Sequence, residues 1–161
     1  MLSNLGNILL FINVFLSVLI IYFASQNIKT SGNSISETIY QTTLLQTTLI
    51  FGCFFTLVAA FITSDFSLIN VFENSHTSKP LLYKISGSWG NHEGSLMLWV
   101  IILTIFSFFF LINNKTHPKN YRLFTLIFQN IIILGFLSFI LFNSNPFTLI
   151  SPAPKEGLGL N

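Results

Sequence analysis

The sequence predicts an all-α membrane protein with four transmembrane helices, its amino terminus outside and a long outer loop between the second and third helices. Three observations carry this. Charge is scarce: 7 Lys/Arg and 5 Asp/Glu in 161 residues are 7%, against about 25% in an average soluble domain. Apolar residues are abundant, with 52% hydrophobic residues, 19 Phe and a mean hydropathy of +0.71. One small core cannot hide that much apolar surface, so lipid must replace water as the outer solvent. The charged residues are also spaced so that four long uncharged gaps separate them.

Each gap is long enough to span. A hydrocarbon core of about 30 Å needs about 20 helical residues at about 1.5 Å each. Residues 1–28 carry no charge and predict a helix over about 5–24; the gap between Glu37 and Asp65 predicts one over about 40–62. The gap from Glu93 to Lys115 predicts 94–112, and that from Arg122 to Lys155 predicts 123–142, with Pro146 ending it. The first segment lacks a basic n-region and an A-x-A cleavage site, so it reads as a span and not a signal peptide, and no Arg-rich presequence precedes it. Loop cations set the orientation. Lys29, Lys115, Lys119 and Arg122 fall in the inner loops, three of them within 113–122, whereas Lys79, Lys84 and Lys155 are spread over the outer parts.

Other classes drop out. A net charge of +2 with no basic run leaves no nucleic-acid footprint. The single Cys53 forms no intrachain disulfide, CxxC pair or zinc cluster, and in an apolar helix it reads as a small packing residue. There is no internal repeat, low-complexity tract or linker, so residues 1–161 form one transmembrane set. In helix 2, Thr48, Gly52, Thr56 and Ala60 recur at spacing four and predict a close helix–helix interface. Asn13 and Ser17 on helix 1, with Gln129 and Asn130 on helix 4, lie at membrane depth and predict interhelical hydrogen bonds.

One segment concentrates what the rest lacks. Residues 87–99 hold both tryptophans, three of the nine glycines and the adjacent pair His92-Glu93. With Asn91 as cap, His92 and Glu93 occupy the first two positions of helix 3, where unpaired N–H groups and the positive dipole end favour a carboxylate. His92, Ser95 and Trp99 fall at i, i+3 and i+7 and share one face. The structural alternative is an aromatic belt with a dipole partner. Metal chemistry is not indicated, because HExxH requires a second His where Leu96 stands. His76 and His117 sit in polar loops and read as solvated; no nucleophile with its base is present, so no catalytic residue is assigned.

The run Trp89-Gly90-Asn91-His92-Glu93-Gly94-Ser95-Leu96-Met97-Leu98-Trp99-Val100 closely resembles the W-G-x-H-E-G-S-L-x-L-W-V signature near the amino end of CcmF, the haem lyase of cytochrome c maturation. Asp65-Phe66, Asn74-Ser75 and Pro80 resemble the loop preceding it in that family. The run Phe139-Ile140-Leu141-Phe142-Asn143-Ser144-Asn145-Pro146-Phe147 resembles F-I-L-F-x-S-N-P-F, and Pro154-Lys155-Glu156-Gly157 to Leu160-Asn161 resembles P-x-E-G-x-D-L-N, with Gly159 in place of Asp. The resemblance implies an amino-terminal portion of a larger haem-lyase fold, from a form split between genes. The WWD loop and the haem-ligating histidines of that family have no counterparts here, and His92 does not match an axial ligand. It further implies a subunit that takes part in joining haem to apocytochrome CxxCH thiols. Partners by implication are the remaining CcmF fragment or fragments, the haem chaperone CcmE, apocytochrome c with its thiol-handling factors, and membrane lipid.

Trp89, Gly90, His92, Glu93, Gly94 and Ser95 are then the candidate cofactor-binding wall of an outer site, with haem bound by the assembled complex and not by this chain alone. The high Phe, Ile and Asn usage matches translation of an AT-rich gene. With the resemblance, it places the chain in the mitochondrial inner membrane, its long loop facing the intermembrane space; the alternative is a bacterial plasma membrane. A rival from another class is a structural small hydrophobic subunit of a respiratory-chain complex.

Overall fold

The computed structural model describes residues 1–161 apart from Asn33, Asn114, Lys115, Leu160 and Asn161. Lys115, counted above among the inner cations, and the closing Leu160-Asn161 of the resemblance lie outside the described residues. The helices are α1 (Leu2–Lys29), α2 (Glu37–Thr63), α3 (Ile69–Asn74), α4 (Leu81–Gly87), α5 (His92–Asn113) and α6 (Lys119–Asn143). Four of them, α1, α2, α5 and α6, are long and apolar enough to cross a membrane. With no water to satisfy backbone groups in hydrocarbon, the helix is the local structure these apolar runs can adopt. Each is longer than the sequence-based reading, because the terminal turns add polar residues that reach the headgroup region.

Helices α1 and α5 each pack against both α2 and α6, which closes a ring of four. Two apolar clusters fill it. One, at the end where α2 gives way to α3, includes Leu10, Cys53, Leu57, Met97, Val100 and Leu137; the other, at the opposite end, includes Ile20, Ala24, Ile39, Leu111, Leu123 and Leu126. Outward faces carry exposed Phe11, Phe15, Phe55, Phe106 and Phe128, as lipid contact requires.

Packing differs from the sequence reading at three places. The buried face of α2 runs through Thr43, Gln46, Ile50, Cys53, Leu57 and Ala60, while Thr48 is exposed and Gly52 half-buried. Thr56 and Ala60 of the small-residue stripe are inside, but its upper half is rotated out, since the Gln46 amide would otherwise face hydrocarbon unpaired. Asn13 and Asn130 bond carbonyls of their own helices, at Leu9 (2.8 Å) and Leu126 (3.0 Å), and not a neighbour. Ser17 and Gln129 do bond across helices as expected, through Gln46 Nε2 to Ser17 Oγ (2.7 Å) and Gln129 Nε2 to the Leu103 carbonyl (3.1 Å), and Thr47 Oγ1 adds a bond to the Thr104 carbonyl (3.3 Å).

Lys119 and Arg122, read above as loop cations, lie in the first turn of α6 and are nearly buried. Lys119 Nζ donates to the carbonyls of Thr30 (3.0 Å) and Gly32 (2.7 Å), just beyond the end of α1. Arg122 donates to Tyr40 Oη (2.9 Å) and to the Leu111 carbonyl in the last turn of α5. A cation at the start of its own helix meets an unfavourable dipole, and here the carboxyl ends of α1 and α5 offset it.

The other end is closed by the chain that follows α6. Phe147, 1% exposed, lies where a Cβ on Gly6 would stand 2.4 Å from its ring, so only glycine lets the ring rest on the α1 backbone. Ser3 Oγ donates to the Phe147 carbonyl (2.8 Å), and Asn145 Nδ2 to Asn7 Oδ1 (2.8 Å). An isolated antiparallel bridge pairs Leu68 with Leu149. Farther on, the Leu158 and Gly159 N–H groups donate to the carbonyls of Phe72 (2.8 Å) and Ser75 (3.1 Å). Glu156 completes this clasp, accepting from Thr77 Oγ1 (2.6 Å) and Thr77 N (2.9 Å).

Those two Thr77 bonds, the hydroxyl's first, hold the Glu156 carboxyl below the usual carboxylate range. A carboxylate depressed in the folded state stabilises the clasp above its ordinary pKa of about 4.3, and that contribution is lost as pH falls through the lower folded value. A spin label on Ala153→Cys, in a Cys53→Ser background, should therefore become more mobile as pH drops below about 4.3. Gly157→Ala, whose Cβ would lie 2.1 Å from the Ser75 carbonyl oxygen, should free the label at neutral pH as well. Unchanged mobility in both experiments would show that the clasp does not hold the tail.

Candidate functional site: the Trp89–Trp99 segment

Asn91 caps α5 as the sequence predicts, its Oδ1 accepting from Gly94 N at 2.8 Å. The same oxygen accepts from Asn70 Nδ2 (2.9 Å), and Asn91 Nδ2 donates to the Gly87 carbonyl (2.8 Å), so this one amide joins α3, the end of α4 and the start of α5. Asn70 Nδ2 also donates to Glu93 Oε2 at 3.0 Å. Glu93 is half-buried and held by a neutral donor in addition to the dipole of its own helix. Asn70 was not anticipated from sequence: it lies 23 residues from Glu93, in a segment read as loop, and nothing in its spacing marks it.

His92 is exposed, with Nδ1 2.8 Å from Ser144 Oγ and its ring set edge-on to Phe139 at 6.5 Å. Ser144 is a second residue that sequence reasoning did not single out, though it sits inside a quoted resemblance. The shared face of His92, Ser95 and Trp99 points away from the bundle. Trp99 is 58% exposed, and Ser95 Oγ turns back to the His92 carbonyl (2.9 Å). Beside this face, Leu96, Ile132, Gly135, Phe136 and Phe139 line an apolar groove of about 360 Å³ between α5 and α6.

Trp89 is 39% exposed and stacks on Phe54 of α2 at 6.3 Å and 29°. Gly94 is buried, and a Cβ there would stand 1.8 Å from the Ser88 carbonyl oxygen. The close backbone approach it allows is therefore to this chain's own loop, which lets residues 88–91 fold over the first turn of α5. Gly90 is looser, with a Cβ 3.2 Å from the Ser86 carbonyl oxygen. Of the six candidate residues Gly94 is buried, and the others lie at the start of α5 and in the loop before it, with Trp89 turned to α2, Glu93 to Asn70 of α3 and His92 to Ser144 after α6.

The remaining histidines are elsewhere. His76 belongs to the tail clasp, Nδ1 2.8 Å from Ser78 Oγ and Nε2 3.8 Å from Glu156, and His117 stacks against Tyr121 near the start of α6. Among the described residues no three His, Cys, Asp or Glu side chains converge on a point where a metal ion could sit. His92 has Nδ1 engaged by Ser144, and the other two histidines lie elsewhere in the fold.

No family model matches the chain. Curated relatives do. The chain is 48% identical to the cytochrome c-type biogenesis protein CycK of Rhizobium meliloti, over 67% of this chain and 16% of the relative. It is 48% identical to the cytochrome c-type biogenesis protein ccl1 of Rhodobacter capsulatus, over 73% and 18%. It is 34% identical to CcmF of Haemophilus influenzae, over 100% of this chain and 25% of that one. A solved structure titled cytochrome c haem lyase CcmF superposes with a TM-score of 0.78 at 20% identity, covering 91% of this chain and 25% of that chain, which shows a shared fold. Matched along its full length by sequence and nearly so by fold, the chain belongs to the CcmF/CycK family of cytochrome c-type biogenesis proteins, as an amino-terminal-like portion spanning a quarter or less of those relatives.

Proposed function

We propose that this chain builds the first four membrane helices and one wall of the outer site of a CcmF-type haem lyase, which joins haem to the CxxCH thiols of apocytochrome c. One observation carries the reading. The segments that resemble the family, around 65–80, 89–100, 139–147 and 154–157, meet at one end of the bundle and bond one another. His92 meets Ser144, Asn70 Nδ2 donates to Glu93, and Glu156 accepts from Thr77. Residues far apart in sequence are held on one small surface, which four spans alone would not require.

On that surface, Trp89 supplies an aromatic area backed by Phe54. His92 is oriented through Nδ1 by Ser144 and offers its other nitrogen as a polar contact. Glu93 and Asn70 form a fixed acceptor and donor pair. These residues contact a partner or a haem edge and do not ligate iron. The partners are the remainder of the lyase, the haem chaperone CcmE and the apocytochrome with its thiol-handling factors. Cytochrome biogenesis is favoured over a respiratory-chain subunit by the relatives, which are cytochrome c-type biogenesis proteins. The Phe, Ile and Asn usage supports an organelle gene and the mitochondrial inner membrane, while the bacterial relatives keep the plasma membrane as the alternative. The loop between α2 and α5 faces outward, since Lys119 and Arg122 lie at the opposite end.

Covalent haem attachment to a c-type cytochrome should fall in cells carrying Trp89→Phe or Glu93→Gln, with the amount of assembled lyase unchanged. A tryptophan that only anchors the membrane interface tolerates Phe, and a carboxylate that only balances a dipole loses about 0.3–1 kcal/mol on neutralisation. Normal haem staining in both variants would return the segment to a structural role. Gly94→Ala should instead reduce assembly itself, at a cost of about 1–3 kcal/mol for overpacking.

Orientation is tested with a membrane-impermeant thiol reagent in a Cys53→Ser background. Ser78→Cys should label from outside and Thr116→Cys should not; the reverse pattern would invert the topology. Purified alone in detergent, the chain should give no stoichiometric Soret band. A band abolished by His92→Ala would make this chain a haem binder in its own right.

A further inference from the structure

We propose that the middle of the four-helix bundle is a binding site for a small cluster of water molecules, held by Asn13, Gln46, Ser107 and Asn130. These residues come one from each spanning helix, and each is 0% exposed. Counted at about 1.5 Å per residue, they lie about 16 to 26 Å from the helix ends that carry the candidate site, which is mid-membrane. They fall between the two apolar clusters, together with Ser17, Thr43 and Thr104, which are also buried.

Their hydrogen bonding is incomplete in a particular way. The amide nitrogens of Asn13 and Asn130 turn back to carbonyls four residues earlier on their own helices, and that of Gln46 goes to Ser17 Oγ. Asn13 Oδ1, Gln46 Oε1 and Asn130 Oδ1 are left as buried acceptors with no protein donor, and Ser107 Oγ has no partner either. Three acceptors cannot satisfy one another, and a single hydroxyl supplies only one proton. Helix backbone N–H groups are already committed to their own ladders. Water meets the need, because each molecule donates twice and can also accept the Ser107 proton. A polar space offering two to four partners is where buried water is found. A hard cation is a poorer fit, since it takes six or more oxygens with carboxylates among them. Glu37, Asp65 and Glu93 all stand at or beyond helix ends, not in this layer.

Hydroxyl-radical footprinting of the whole chain in 18O-water tests this, because radicals made from water label side chains that touch water even when these are buried. Read residue by residue within peptides covering 13–20, 43–50 and 126–133, the buried Leu16, Thr43 and Leu126 beside this layer should take up 18O several-fold faster than Met97 and Phe61, which are as buried but sit in the apolar cluster. Met97 is the more stringent control, its sulfur being the more readily oxidised group. Labelling no faster than at Met97 and Phe61 would overturn the proposal. The double variant Asn13→Leu, Asn130→Leu should lose the labelling while keeping its helical circular dichroism; labelling retained in that folded variant would also overturn it. If the variant fails to fold, the comparison within the wild-type chain still decides. Repeating the wild-type measurement in sodium chloride and in a sodium-free buffer should give equal labelling, and protection by sodium would show a dry cation site instead.

Discussion

Hydrocarbon leaves a backbone carbonyl no partner except another part of the protein, and this constraint organises the molecule. It makes each long apolar run a helix, and it moves the unsettled part of the problem to the helix ends, where four N–H and four C=O groups per helix lack intrahelical partners. At one rim the carbonyls at the ends of α1 and α5 are met by Lys119 and Arg122. At the other, the Asn91 amide takes the first turn of α5, and the chain after α6 supplies donors to the loop. The two rims use different chemistry: cations of α6 close the bare one, and amides and hydroxyls close the other together with the Glu156 carboxylate and the Lys79 and Lys84 ammonium groups.

That division explains what was legible in the sequence. The spans could be read because a charge inside hydrocarbon is costly, so gaps between charges are nearly gaps between membrane surfaces. The same rule misplaced the start of α6. Lys119 and Arg122 ended the uncharged gap, yet they belong to the helix, their head groups bonded to carbonyls at or just beyond the ends of α5 and α1. The stripe through Thr48 and Gly52 failed for a related reason: small residues permit close packing, but a buried glutamine requires it, and Gln46 set the rotation of α2.

In the candidate site, what followed from position along one helix was readable. Asn91 as cap, Glu93 in the first turn and the common face of His92 and Trp99 needed only helix periodicity, whereas the outward direction of that face did not follow from it. Asn70 and Ser144 were out of reach, because their part depends on loops folding back across 23 and 52 residues of chain. The helices α3 and α4 were also hidden, being too short, at 6 and 7 residues, to show a period among the turns around them.

The ring of Phe147 against the bare backbone at Gly6 has a bearing on how the molecule is made. The first turn of α1 enters the membrane early in synthesis, yet the side chain that covers it lies 144 residues beyond Ser3. Until the fourth span has crossed and the following turn has emerged on the same face, Gly6 has Cys53 of α2 against its carbonyl but lacks the ring that covers its bare Cα. The turn after α6 therefore closes the bundle back onto the start of α1. The rim with the candidate surface is the final part to acquire its shape, and an incompletely inserted chain cannot display it.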